Sequence, residues 1–315
     1  MDRKMLDRCL AESHLPKLPA PTRGKVRDIY DLGSDLLIVT TDRISAFDVV
    51  LGCVPCKGQV LNTIAAWGFE RSAHLVPNPV ISLPDPNAVL MRKLKALPVE
   101  VIVRRHITGS LWREYAKGVR EIYGLRLPDG LLADSRFDEA IVTPTTKAEQ
   151  GEHDAPLSEA EIVERGLVDG DLWQEVRKAA LSLFAAGEAM AAKRGLILVD
   201  TKYEFGLDGD RLMVMDEIHT PDSSRYWEAE GFSERMAAGQ AQRMLDKENL
   251  RQWLLERDFD GHGPAPVLDE AIRLSLAQTY VNLQERICGQ TVNLPELDPH
   301  TRLVSNLRAA GLLPA

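Results

Sequence analysis

The chain has 315 residues, 44% hydrophobic and 27% charged, the balance of an ordinary globular protein long enough for two or three subdomains. Its 38 basic against 47 acidic residues give a net charge of −9, which argues against a general nucleic-acid or membrane-surface binder but leaves room for a local basic pocket. No apolar run approaches the ~20 residues that span a bilayer, and four cysteines in so long a chain imply no disulfide framework, so a reducing cytoplasm is the expected compartment.

The first segment, MDRKMLDRCLAESHLP, alternates charges without a continuous apolar core; it predicts a short amphipathic helix and not a secretory signal. GKVRDIYDL and DLLIVTTD, separated by GSD, predict a hairpin. RGKVRD sets Arg23, Lys25 and Arg27 on alternate positions, one basic strand face beside a glycine that admits a ligand. Cys53 and Cys56 in CVPC lack the second ligand pair that structural zinc needs, so they are expected to be turn residues around Pro55. VPNPVISLPDPNAV is proline-rich and predicts irregular or edge structure. PVEVIVRRH then predicts a strand, and GSLWREYAKG a helix.

From Ser158 the pattern turns helical. SEAE is a capping box, and the run to Gly195 predicts a helix with Leu172, Val176, Ala179, Leu183 and Met190 on one face. LILVDTKYEF and RLMVMDEIH predict a hairpin after it. Three further helices are expected: one through SERMAAGQAQRMLDKENLRQWLLERD, one through VLDEAIRLSLAQTYVNLQERICG and a short last one at TRLVSNLRAAG.

The chemistry concentrates where LILVDTKYEF changes from apolar to charged. Every second strand residue shares a face, so Asp200, Lys202 and Glu204 point one way and Thr201, Tyr203 and Phe205 the other. An odd-length loop centred on Gly209 would set Lys202 opposite Asp216 with Glu204 diagonal to it. A two-residue loop at Asp208-Gly209 would turn Asp216 away, because a one-residue slip inverts a strand's face. In the first register two carboxylates beside a lysine suit magnesium on nucleotide phosphates. Taken alone, this hairpin fits a solvated ion-paired sheet face better than a metal site. VIVRRHITGS joins Arg104 to a Gly-Ser pair opening a helix, a phosphate cradle, and PDSSRYW offers a second set in Ser223, Ser224 and Arg225. TPTTKAEQGEHD is a polar loop carrying Lys147, Glu149, His153 and Asp154.

GKVRDIYDLG, TTDRISAFDVVL, KGQVLN, PVEVIVRRHITGSLWREY, TPTTKAEQGEHD, LVDTKYEFG and DEIHTPDSSRYW occur in one order that closely resembles the phosphoribosylaminoimidazole-succinocarboxamide synthase (SAICAR synthetase) family. The specific motifs are P-x-E-x-x-x-R-x-x-x-T-G-S, Pro98 to Ser110, and D-x-K-x-E-F-G, Asp200 to Gly206. The resemblance implies an α+β fold: a small antiparallel β nucleotide-binding lobe, a mixed α/β lobe and a C-terminal helical extension, divided at 1–105, 106–230 and 231–315. It also implies an ATP-dependent ligase that joins 5-amino-4-carboxyimidazole ribonucleotide (CAIR) to L-aspartate through an acyl phosphate.

Residue by residue, the resemblance implies that Lys25 and Arg27 contact ATP phosphates, while Arg92, Lys93, Leu97 and Glu100 belong to the ATP site around the adenine. Glu204 and Asp216 would hold Mg2+, and Lys202 would neutralise the transferred charge. Arg104, Ser110 and Arg225 would take the ribonucleotide 5′-phosphate, with Asp200 on the CAIR side. Ser45, Lys147, His153 and Asp154 would line the CAIR and aspartate pockets. The expected partners are these small molecules alone, with neither nucleic acid nor membrane, for a monomer or small homo-oligomer. A small-molecule kinase would use Lys25, Lys202, Glu204 and Asp216 equally well, but gives no reason for the phosphate cradles beyond the ATP site.

Overall fold

The computed structural model describes residues 2–147, 155–245, 247–293 and 297–314. After a 3-10 turn at Arg3–Asp7 come β1 (Thr22–Arg23), β2 (Arg27–Asp31), β3 (Asp35–Thr40), β4 (Arg43–Ala46), β5 (Val49–Cys53) and α1 (Lys57–Ser72). β6 (Val80–Asp85), β7 (Ala88–Arg92), β8 (Lys95–His106), α2 (Gly109–Ala116), β9 (Glu121–Ile122), β10 (Leu125–Arg126) and β11 (Arg136–Thr146) follow. The second half holds α3 (Glu159–Glu164), α4 (Gly170–Ala192), β12 (Leu196–Asp208), β13 (Arg211–Met215) and β14 (Ser224–Glu228). The tail carries α5 (Phe232–Ala237), α6 (Glu248–Leu255), α7 (Glu270–Cys288) and α8 (Pro299–Ala309).

Two antiparallel five-stranded sheets organise the chain. The first has the order β1-β2-β3-β7-β6; the second runs β11-β8-β12-β13, with β14 also paired to β12. The fold is thus α+β, as expected. β8 lies wholly in the second sheet, so the sheets change at residues 93–94, ahead of the expected division at 105.

Period-two alternation buries both faces of the first sheet. Leu37, Val39 and Ala88 pack with Leu10, Leu15, Leu303 and Leu307, whereas Val89 and Met91 join the main core with Val60, Leu61 and Ile64 of α1. The N-terminal segment and α8 therefore cover one side, and α1 the other. The expected N-terminal helix is reduced to the 3-10 turn because backbone N–H groups beyond it serve buried carboxylates: Leu10 N–H donates to Asp42 at 2.7 Å and Ser13 N–H to Asp28 at 2.7 Å.

In the second sheet Val99, Val101 and Val103 of β8 and Tyr203 and Phe205 of β12 join α4 residues Val176, Ala180, Leu183 and Phe184 in the core. Ser158 and Glu161 form the capping box ahead of α3, and Gly195 follows α4 at φ +66°. The buried stripe of α4 is rotated from the expected one. Val176 and Leu183 belong to it, but Trp173, Ala180, Phe184 and Ala191 replace Leu172, Ala179 and Met190. The single helix expected after residue 232 is two, α5 and α6. It breaks at Gly239, φ +63°, before Met244 bridges to Trp227.

Candidate active site

Three strands supply one charged face. Arg104 pairs with Asp200, Ile102 with Lys202 and Glu100 with Glu204 across β8 and β12, and Arg225 of β14 pairs with Asp200 from the other side. Side chains in register share a face, so Asp200, Lys202 and Glu204 look outward with Glu100 and Arg104 while Tyr203 and Phe205 enter the core. The alternation expected from the sequence is the one adopted.

The hairpin register is not. The loop is Gly209–Asp210, with Asp208 opposite Arg211 and Glu204 opposite Met215, so regular alternation would send Asp216 to the core side. Asp216 instead lies one residue beyond β13 with φ +66°, a left-handed conformation that breaks the alternation. Its carboxylate consequently interacts with both Lys202 and Glu204 and forms an ion pair with Arg27. Arg27 also reaches Glu217 at 3.1 Å.

These charges set one another. Lys202 Nζ lies 2.7 Å from Glu100 and 2.5 Å from Glu204, and Lys147 Nζ lies 2.6 Å from Glu204. Burial opposes ionisation of Glu204, but Lys202 and Lys147 outweigh it and hold the carboxyl down at about 2. Burial also works against the Lys202 charge; Glu204, Asp216 and Glu100 reverse that and raise the ammonium above its ordinary value. Asp216 responds the other way: burial pushes its carboxyl up to about 6 against the pull of Arg27.

The other end of the same face is a cradle of cations. Asp200 accepts from Arg104 at 2.8 Å and from Arg225 at 2.5 Å, and Arg104 Nε donates to Thr143 Oγ1 at 2.9 Å. One carboxylate between two guanidiniums leaves a net positive charge. Ser110 stands in the first turn of α2 beside these groups. Gly109 is required there: a Cβ would lie 2.5 Å from Arg225 Nη2, and its φ is +58°.

Two neighbouring cavities open over this face. The first, about 240 Å³, is lined by Arg104, Ser110, Asp200, Lys202, Asp222 and Arg225, and the second, about 390 Å³, by Lys25, Ser45, Asp48 and Arg113. Ser110, Arg225, Lys247 and Arg251 border both. The hairpin β4–β5 brings Ser45 to the rim through a two-residue turn, Phe47 at φ +50° and Asp48 at φ +63°.

Arg23, Lys25 and Arg27 do not share a face, because the chain turns at residues 24–26 between β1 and β2. Arg23 pairs with Glu12 at 2.9 Å, Lys25 pairs with Asp48 at the second cavity, and Arg27 enters the charged cluster. Arg92 and Lys93 form exposed ion pairs, with Asp208 at 2.8 Å and Asp31 at 2.5 Å, and Leu97 is buried. His153 and Asp154 lie outside the described residues.

Sequence reasoning missed Lys247, Arg251, Asp222 and Lys57. The first two stand four apart in LDKENLR, one helical face, a signal hidden by reading that stretch as one long helix. Lys57 and Asp222 meet at 2.8 Å, both buried, across 165 positions. Nothing local marks such a pair.

The sequence profile of the SAICAR synthetase family matches residues 20–265. The phosphoribosylaminoimidazole-succinocarboxamide synthase of Legionella pneumophila is 46% identical over 289 residues, 90% of this chain and 92% of that protein. The enzyme of the same name from Bacteroides fragilis is 48% identical over 271 residues, 85% and 86% of the two chains. A SAICAR synthase from Saccharomyces cerevisiae in complex with SAICAR superimposes with a TM-score of 0.78 at 33% identity, covering 90% of this chain and 99% of that one. Fold and relatives together define a carbon–nitrogen ligase of purine biosynthesis. The chain belongs to the SAICAR synthetase family, whose reaction condenses CAIR with L-aspartate at the expense of ATP.

Proposed function

We propose that the charged face of β12 performs this reaction from two ends, with phosphoryl transfer at Glu204 and ribonucleotide binding at Asp200. The observation that carries the reading is their common strand. Asp200, Lys202 and Glu204 share one face of β12, spaced about 7 Å apart in succession; Asp200 and Lys202 line the first cavity, and Lys202 joins the cationic cradle to the acidic cluster at Glu204. A ribonucleotide held by its 5′-phosphate at Arg104, Ser110 and Arg225 would extend its imidazole carboxylate toward Lys202.

Lys25 and Arg27 then contact ATP phosphates, and the crossing at 92–97 holds adenine through backbone groups, with Glu100 anchoring Lys202 beside the nucleotide. Glu204 and Asp216 fit a magnesium ion: Lys202 and Lys147 hold Glu204 ionised, Asp216 stands beside it, and magnesium takes one or two protein carboxylates with phosphate and water oxygens completing its shell. Bound there, the ion would draw charge from the β- and γ-phosphates. Lys202, held protonated by its three acids, neutralises the phosphoryl group in transfer. A CAIR carboxylate oxygen attacks the γ-phosphorus and ADP departs. The neutral amine of L-aspartate attacks the acyl carbon, the C–N bond forms as the C–O bond to phosphate breaks, and the amine proton passes to solvent. Ser45 at the second cavity and Lys147, paired with Glu204, are assigned with His153 and Asp154 to the CAIR and aspartate pockets.

The same reading gives the first sheet to the nucleotide, the second to substrates and metal, and the helical tail to support. We place the protein in the cytoplasm as a monomer or small homo-oligomer without nucleic-acid or membrane partners. The acidic charge and the four free thiols support this, and no helix among the described residues is long and apolar enough to cross a membrane. CAIR labelled with 18O in its carboxylate tests the chemistry: one labelled oxygen is expected in the released phosphate, and unlabelled phosphate would refute attack by that carboxylate.

A further inference from the structure

Asp222 lines the first cavity, yet its fixed partners come from far away in the chain. Lys57 Nζ, from the first turn of α1, donates to Oδ2 at 2.8 Å, and the Tyr280 hydroxyl, from the middle of α7, donates to Oδ1 at 2.8 Å. All three side chains are withdrawn from solvent, and Lys57 also sits 5.7 Å from the centre of the Tyr280 ring. α7 lies beyond the segment 20–265 that the family profile matches.

We propose that Lys57 and Tyr280 are positioning residues for CAIR binding, fixing the Asp222 carboxylate so that its free lone pairs accept an N–H or O–H of the bound ribonucleotide. The inference rests on the reading of this cavity as the ribonucleotide site. A carboxylate accepts about four hydrogen bonds, and one on each oxygen goes to a fixed partner, which leaves acceptor capacity on the cavity side. With both oxygens held, the carboxylate does not rotate, so no ordering cost falls on substrate binding. Its neighbours Ser223, Ser224 and Arg225 point to the ribonucleotide as the ligand rather than to the nucleotide triphosphate. The helical tail thereby acquires a function at the site. Through one tyrosine, a helix outside the matched segment reaches the substrate cavity.

Tyr280→Phe keeps the ring in the core and removes only the hydroxyl. Calorimetric titration with CAIR is expected to show affinity weakened about 3–10-fold in this variant, the worth of one hydrogen bond, with ATP affinity unchanged. Asp222→Asn should weaken CAIR further, and adding Tyr280→Phe to it should have no additional effect, because the hydroxyl acts through the carboxylate. Unchanged CAIR affinity in Tyr280→Phe, or an equal loss with and without Asp222→Asn, would overturn the inference. Ser110→Ala separates the two levels. If it weakens CAIR while Tyr280→Phe does not, only the positioning role fails; if neither it nor Asp222→Asn changes CAIR affinity, the assignment of the cavity fails with it.

Discussion

The two faces of β12 answer to different physics. On the cleft side Asp200, Lys202 and Glu204 lie within hydrogen-bond reach of opposite charges, and for Lys202 and Glu204 these ionic partners outweigh burial. On the core side, burial decides. Tyr203 and Phe205 are almost inaccessible, and the Tyr203 hydroxyl shares a 2.7 Å hydrogen bond with His219 Nε2. One strand thus separates function from stability by a single-residue alternation, so changes on the first face should remove activity and keep the fold, with the reverse on the second.

The largest expected effect is on the cleft face. Lys202→Met should lower kcat about 10²–10³-fold, the scale of removing a preorganised charge from a transition state, while the melting temperature stays near that of the parent. Pre-steady-state ADP release measures it.

The core face should respond to pH. Burial lowers His219 to about 4, below the usual 6.5. A histidine kept neutral in the fold stabilises it above the unfolded value, and that stability disappears as pH falls from 6.5 toward 4, because the unfolded chain takes the proton first. The full loss is on the order of 3 kcal/mol. Urea titrations between pH 7 and 4 should show it, and His219→Gln should flatten the slope.

Arg225→Met should weaken CAIR about 10–100-fold, the range of one charge-assisted hydrogen bond, and leave the ATP KM unaltered. An equal rise in both KM values would erase the distinction between the two ends of the face. The smallest effect belongs again to the core: Tyr203→Phe leaves His219 without its hydroxyl partner and should cost about 1–2 kcal/mol of stability, with kcat unchanged.

The two-face pattern was legible because DTKYEF carries it in six consecutive residues, and so were the cradle residues, which lie in two short motifs. Both depend on local periodicity. Asp216 was reached through a wrong register: the sequence does not announce that its backbone turns left-handed at the strand exit, and that one φ angle does what an odd loop was expected to do. The basic strand at Arg23–Arg27 failed for a related reason, since a turn at residues 24–26 cancels alternation. The N-terminal helix gave way to long-range bonds from Leu10 and Ser13 to buried Asp42 and Asp28, contacts that no local pattern encodes. Lys57, Asp222 and Tyr280 meet from three distant segments in the same way.

The central claim is that Glu204 and Asp216, one on the strand and one returned to its side by a left-handed residue, share a single divalent ion with the nucleotide. Manganese binding followed by electron paramagnetic resonance, in the presence of a non-hydrolysable ATP analogue, tests this most directly. The account predicts one tight protein–metal–nucleotide complex in the parent, and weakening of at least about tenfold, or 1.4 kcal/mol, in both Glu204→Gln and Asp216→Asn. Parental metal affinity in Asp216→Asn would contradict it.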